Sequence, residues 1–221
     1  MPKVRVHNFS ISLDGYGAGP DQSVQNPLGV GGEDLHRWVV VTPSFRRMQD
    51  PEAPVDADAA TSVDERFAAR NNVGVGATIM GRNMFGPVRG PWGTDDWRGW
   101  WGENPPYHHP TFVLTHHAHD PIEMEGGTTF HFVTEGPEAA LERARAAAGD
   151  ADVQIGGGVS TIQQYLRLGL IDEMHIAIAP ELLGAGERLF SGVDAALTGY
   201  EVAEFVGSEA AAHAVLVRRT A

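Results

Sequence analysis

The chain of 221 residues contains no cysteine, which excludes disulfides, thiolate metal sites and thiol nucleophiles outright. It is also poor in positive charge: 16 Lys and Arg stand against 29 Asp and Glu, a formal net charge of −13. That balance argues against nucleic acid or an anionic membrane surface as partner, and any phosphorylated ligand must be met by basic residues gathered locally. No segment approaches the roughly 18 consecutive apolar residues of a membrane span. The start, Met1-Pro2-Lys3-Val4-Arg5-Val6-His7, has no apolar run of signal-peptide length, so a soluble, cytoplasmic protein is expected. No linker divides the chain, and its length suits one substantial core. The expectation is a single domain over residues 1–221.

What is present is organised around Asp152-Val153-Gln154-Ile155-Gly156-Gly157-Gly158-Val159-Ser160-Thr161, continued by an amphipathic stretch with Ile162 and Leu166 apolar and Gly169 at its end. The pattern reads as strand, tight turn and helix with a C′ glycine. Glycines without Cβ atoms let backbone N–H groups approach an anion, and a helix start adds about half a positive charge. The shape is that of a phosphate cradle. It does not satisfy the dinucleotide pattern G-x-G-x-x-G, because Thr161 stands where the third glycine belongs. A plain strand-to-helix turn fits the same residues, so other parts of the chain must decide.

Residues 3–13 read as a first strand that shifts register near Asn8, followed by the glycine-rich loop Ser12-Leu13-Asp14-Gly15-Tyr16-Gly17-Ala18-Gly19-Pro20. Glu33-Asp34-Leu35-His36-Arg37-Trp38 begins a short helix with acids in its first turn. Residues 42–60, rich in Pro, Asp and Ala, read as an exposed connection. A helix follows, with Ser62 and Glu65 spaced as a capping box. At Thr78-Ile79-Met80-Gly81-Arg82-Asn83 a buried strand runs into a glycine and an arginine at a helix start, a second candidate anion site. Residues 86–110 hold four of the five tryptophans without helical or strand period. They are expected to form a long structured loop packed on its own rings, over a pocket or against a second subunit. Strands at 111–117, 128–133 and 172–180, a helix opened by Pro137 and stopped by Gly149, and a closing pair at 200–206 and 212–217 complete the pattern. Strands alternating with helices, ended by a hairpin, imply a three-layer α/β fold with a mixed, mainly parallel sheet.

Four pieces occur in the order seen in one family: Ser12-Leu13-Asp14-Gly15-Tyr16, Met80-Gly81-Arg82-Asn83-Met84-Phe85, Gly156-Gly157-Gly158 with its helix, and Leu170-Ile171-Asp172-Glu173-Met174-His175 leading to the 179–190 stretch. The chain resembles the dihydrofolate reductase fold and, within it, the riboflavin-biosynthesis reductase domain (RibD C-terminal domain) as a stand-alone member. The resemblance implies an NADPH-dependent reductase acting on a small heterocyclic or carbonyl substrate, pteridine- or pyrimidine-like, and working as a homodimer. It implies cofactor contacts at Gly81, Arg82 and Asn83, at Thr115 and His116 near the adenosine 2′-phosphate, and along Gly156, Gly157, Gly158, Val159, Ser160 and Thr161 for the pyrophosphate. By position it also makes Asp34 the first and Glu33 the second candidate proton donor. The 42–60 and 86–110 segments look like insertions that reshape the substrate pocket.

Three other readings stay open. The fold can serve a non-catalytic nucleotide-binding dimer, or a reductase using a flavin or deazaflavin. The ten histidines include His117 and His119 at ligand-like spacing on one strand face, but no metal is assigned. The remaining basic candidates, Arg37, Arg46, Arg47, Arg89 and Arg98, are scattered and name no substrate.

Overall fold

The computed structural model describes residues 2–86, 89–93 and 97–219. In chain order the strands are β1 (Val4–Ser12), β2 (Tyr16–Ala18), β3 (Val75–Gly81), β4 (Pro110–Leu114), β5 (Ile122–Glu123), β6 (Thr129–Val133), β7 (Asp152–Gly157), β8 (Glu173–Ala179), β9 (Glu187–Arg188), β10 (Tyr200–Gly207) and β11 (Ala212–Arg218). The helices are α1 (Arg37–Val40), α2 (Pro43–Gln49), α3 (Ala57–Ala60), α4 (Val63–Ala68), α5 (Arg82–Phe85), α6 (Pro137–Ala148), α7 (Val159–Arg167) and α8 (Asp194–Leu197). They group into two compact units, one of residues 1–5 and 74–171, the other of residues 6–73 and 172–221. The mixed, mainly parallel sheet and the antiparallel C-terminal hairpin expected from the sequence are both present.

In the first unit β1 (through Val4 and Arg5), β7, β3, β4 and β6 pair in parallel in that order, and β5 closes the row antiparallel to β6. Ala77, Ile79, Met80, Val113, Val153 and Ile155 are buried. Such apolar runs are what a parallel sheet covered on both faces requires. Helix α6 starts with Pro137 in its first turn, lies against β3, β4 and β7, and buries Ala140, Leu141 and Ala144. Gly149 stops it at φ 60°, a backbone conformation glycine adopts without strain. The described part of the tryptophan-rich segment has neither helix nor strand before β4. Its rings pack on each other, Trp97 on Trp100 at 4.6 Å and Trp101 on Tyr107 at 5.1 Å, and also on the core formed by Met80, Phe85, Val113, Phe130 and Phe132. Positions 87–88 and 94–96 of that segment lie outside the described residues.

In the second unit β10, β11 and β8 form an antiparallel row, with Ala214 opposite both Phe205 and Ile176. β1 bends where the sequence shifts register, with Asn8 at φ 52°. The core gathers Trp38, Phe67, Ala68, Ala177, Ala211 and Val215, and a chain of polar groups threads through it. The Asn8 backbone N–H points at His175 Nδ1 (3.2 Å), which makes that nitrogen the acceptor and places the ring proton on Nε2. The Asn8 carboxamide approaches the same nitrogen (3.0 Å), and a half-turn that is indistinguishable in shape lets its NH₂ end donate there. His175 Nε2 then donates to His213 Nδ1 (3.0 Å), and His213 Nε2 donates to Asp64 Oδ1 (2.8 Å). The Ser208 hydroxyl donates to that same carboxylate oxygen (2.8 Å). Phe67 stacks on both imidazoles, and Trp38 meets them edge-on. Burial lowers the pKa of both rings, taking His175 to about 2, where His7, His213 and Arg70 add repulsion.

The 42–60 segment is largely exposed beyond the buried Thr42 and Pro43 and contains two short helices. Thr42 caps α2 by accepting the Phe45 N–H, with Pro43 as first helical residue, and Asp56 caps α3 through the N–H groups of Asp58 and Ala59. These are local capping signals, outweighed in the sequence by the density of Pro and Asp. Ser62 caps α4 through the Glu65 N–H, as the capping box predicts, but the Glu65 carboxylate turns instead to Ser44, accepting from its N–H (3.0 Å) and hydroxyl (2.6 Å).

Candidate functional site

The registers of three neighbouring parallel strands align their C-terminal ends: Met80 pairs with Gly157, and Gly81 with Leu114. Gly81-Arg82-Asn83, Thr115-His116 and the run from Gly156 to Thr161 therefore emerge together at one end of the first unit's sheet. The carboxyl ends of parallel strands are where α/β sheets place ligands. Sequence spacing could not show this convergence, because it depends on β3 lying between β4 and β7.

Each glycine there has a separate reason. Gly157 has φ 130°, open to glycine at no cost. A Cβ on Gly81 would run into Thr161 Oγ1, so the end of β3 packs directly against a side chain of the first turn of α7. A Cβ on Gly158 would meet nothing within 4 Å, so the space before α7 is open. Gly158 is also the N-cap of that helix, and no side chain caps it. The Thr161 and Ile162 N–H groups return to the Gly158 carbonyl, while Val159 is buried and Ser160 exposed. The peptide between Gly157 and Gly158 is cis. An uncapped helix start facing open space is a place where an anion is favoured.

Arg82 stands beside it, half-buried, and its guanidinium makes no hydrogen bond or ion pair with any described residue. Its guanidinium lies over the Trp92 ring at 3.1 Å and near Phe85 at 6.0 Å, and its Nε is shut from solvent without a partner. Burial pulls its pKa down to about 10, which leaves it charged at neutral pH. The Asn83 side chain accepts from Arg89 Nε at 2.7 Å, so Arg89, scattered in the sequence, is tied to this segment. Thr115 is buried, with its N–H on the Val133 carbonyl (3.1 Å) and its hydroxyl accepting the His117 N–H (3.1 Å). That closed turn presents His116 at the surface.

The predicted acids lie in the second unit, on the 3₁₀ turn Gly32–His36, anchored by buried Leu35 and Trp38. Glu33 is exposed. Asp34 holds Arg37 at 2.6 Å, and Arg37 also reaches Glu181 at 3.5 Å. On the same turn His36 has its Nδ1 buried without a partner, and burial lowers its pKa, leaving the ring neutral. A third acid, Asp14, is a loop clamp: the Ser12 hydroxyl and the N–H groups of Gly184 and Leu183 hold its carboxyl down at about 2. Among the described residues no three His, Asp or Glu side chains are arranged to hold a metal ion.

Residues 2–214 match the family model of the RibD C-terminal domain. The chain belongs to the RibD C-terminal domain family. A solved structure from Shewanella sp. PV-4, provisionally named a riboflavin biosynthesis protein, is similar over 100% of both chains at 24% identity and a TM-score of 0.59. A Thermotoga maritima diaminohydroxyphosphoribosylaminopyrimidine deaminase/5-amino-6-(5-phosphoribosylamino)uracil reductase is similar over 99% of this chain and 57% of that one, at 12% identity and a TM-score of 0.54. A dihydrofolate reductase from Enterococcus faecalis matches 66% of this chain and 75% of that one, at 18% identity and a TM-score of 0.42. No curated protein matches.

Within this RibD C-terminal domain the residue that the sequence did not assign to the site is Trp92. The wealth of tryptophan was visible in residues 86–110, but which ring meets Arg82 is decided by the path of the segment over β4 and β6. The RibD C-terminal domain also has no described helix long and apolar enough to cross a membrane.

Proposed function

We propose that the chain is an NADPH-dependent reductase that delivers hydride to a small heterocyclic or carbonyl substrate of pteridine or pyrimidine type. The observation that carries this reading is Arg82. It is a charged fork without a hydrogen-bond partner among the described residues, held next to an uncapped helix start at the ends of adjacent parallel strands, in a member of the RibD C-terminal domain family. The residues fit a dinucleotide phosphate: Arg82 supplies a planar donor set, Gly158 leaves room, and the Val159 and Ser160 backbone at the start of α7 supplies the dipole. Thr115 and His116 suit the second, 2′-phosphate end, with the exposed imidazole adding charge when protonated. When bound, NADPH supplies the hydride, and the protein supplies orientation and electrostatics.

A C=N bond that gains hydride leaves a nitrogen in need of a proton. Asp34 is the first candidate donor and Glu33 the second. The name of the Thermotoga maritima relative supports a pyrimidine substrate. Homodimer formation belongs to the same reading and is supported by Val202 and Phe205 on β10, which are 59% and 69% exposed.

The test is a titration of the purified protein with NADPH and NADH, read by quenching of tryptophan fluorescence. The expected result is saturable NADPH binding, markedly weaker for NADH and strongly weakened in Arg82→Ala. Binding of neither nucleotide would refute the assignment, and a coloured protein with bound flavin would replace it with the flavin reading.

A further inference from the structure

All five N–H groups of an arginine lie in the guanidinium plane, so an anion site built on arginine works only if that plane is held. The Arg82 guanidinium has no hydrogen-bond partner among the described residues to hold it. The guanidinium carbon instead lies over the Trp92 indole, 3.1 Å from the ring centroid, a separation that only a stacked arrangement allows. Stacking uses the face of the guanidinium and leaves its N–H edge for an anion, so the two contacts do not compete. Trp92 is itself fixed by three neighbours. Its Nε1–H donates to the His117 carbonyl at 2.9 Å, the His119 ring packs on it at 4.6 Å, and Phe132 meets it edge-on at 4.9 Å. His117 belongs to the turn that Thr115 closes with its hydroxyl. One indole therefore joins the start of α5 to the turn after β4.

We infer that Trp92 is a positioning residue for anion recognition, holding the Arg82 fork in its binding plane and tying it to the Thr115–His117 turn. The inference deepens the cofactor reading and rests on it. It gives part of the tryptophan-rich segment a role in binding in addition to covering the aromatic core. A residue that only packs would lower stability when removed, without regard to Arg82. A positioning residue acts through Arg82 and falls silent once Arg82 is gone.

The experiment compares Trp92→Leu, which removes the ring, with Trp92→Phe, which keeps an aromatic face, each alone and combined with Arg82→Gln. NADPH affinity and unfolding temperature are measured for all of them. Loss of a desolvated cation–π contact corresponds to about tenfold in affinity. Trp92→Leu is expected to weaken NADPH by that factor, Trp92→Phe to restore most of it, and Trp92→Leu to add nothing in the Arg82→Gln background. The Arg82 Nε–H resonance, shifted upfield by the indole ring current, is expected to move downfield in Trp92→Leu. Wild-type affinity in Trp92→Leu, or the same loss with and without Arg82, overturns the inference while leaving the cofactor reading intact. Failure of the wild-type protein to bind NADPH refutes the cofactor reading, and the positioning role falls with it.

Discussion

Acidification tests the buried histidine chain directly. His175 has no exposed surface, accepts the Asn8 N–H at Nδ1 and donates from Nε2 to His213, so the folded protein holds it neutral. Its pKa falls from 6.5 to about 2, chiefly because burial disfavours the charged ring, with His7, His213 and Arg70 adding repulsion. The surrounding charges act in both directions. Arg66 and Arg70 lie over Phe67 from the solvent side, Arg70 is paired to Glu204 at 2.9 Å, and Asp64 at the far end of the chain favours a proton on His213. In the unfolded chain His175 takes up a proton near pH 6.5, whereas the folded ring does not. Stability is therefore complete above that pH and falls as the pH drops through the window down to the folded pKa. At about 1.4 kcal/mol per unit, His175 alone costs about 2.7 kcal/mol by pH 4.5. That is a large part of the roughly 5–15 kcal/mol that holds a typical domain together. The window lies above the range in which Asp14, held at about 2, begins to matter. The assay is urea unfolding at half-unit steps from pH 8 to 4.5, for wild type and His175→Gln, whose carboxamide can still donate to His213. The variant should lose about one proton from the slope below pH 6.5. An NMR titration of the His175 Cε1–H in the folded wild type gives a check that does not depend on the variant folding. A His175 signal that titrates near 6.5 in the folded protein, or an unchanged slope in the variant, would refute the argument.

Four further outcomes are expected. Gly158→Ala should unfold like wild type, because its Cβ meets nothing within 4 Å, yet bind NADPH more weakly, as titration will show. Gly81→Ala should lower stability by about 1–3 kcal/mol in urea unfolding, through overpacking of its Cβ against Thr161. Asp64→Ala strands the His213 Nε2–H in a buried position and removes an acceptor from Ser208. The expected loss is about 2–4 kcal/mol, and a midpoint of denaturation within error of wild type would show that the chain of hydrogen bonds contributes nothing. If Asp34 delivers the proton, Asp34→Asn should depress kcat with little change in NADPH affinity, while loss of affinity alone would assign Asp34 to binding.

Much of the fold is local and was legible as such. Gly149 and Gly169 stop α6 and α7 at φ 60° and 65°, and Asn8 marks the bend in β1 at φ 52°. Each follows from which residues tolerate a left-handed backbone. The short pair β2 and β9 escaped the sequence reading, since two- and three-residue strands have no periodicity to detect. The Pro- and Asp-rich stretch 42–60 hid two capped helical turns for a similar reason. Of the candidate site, the glycines and Arg82 could be named from residue type, because phosphate chemistry needs small backbone and fixed charge, whereas Thr115-His116 was named only through the family resemblance. Their meeting could not, since residues 81, 115 and 157 become neighbours only through the order of β7, β3 and β4.

The sequence by itself determined the alternation of strand and helix, the closing hairpin, the absence of thiol chemistry and the types of residue available to hold an anion, because propensity, periodicity and charge are properties of short stretches. Only the tertiary structure decided which tryptophan lies on Arg82, that Gly81 is needed to admit Thr161, and that His175, His213 and Asp64 form one hydrogen-bonded line. Those contacts join positions from 10 to 149 residues apart, and what fixes them is the register of paired strands and the burial they impose.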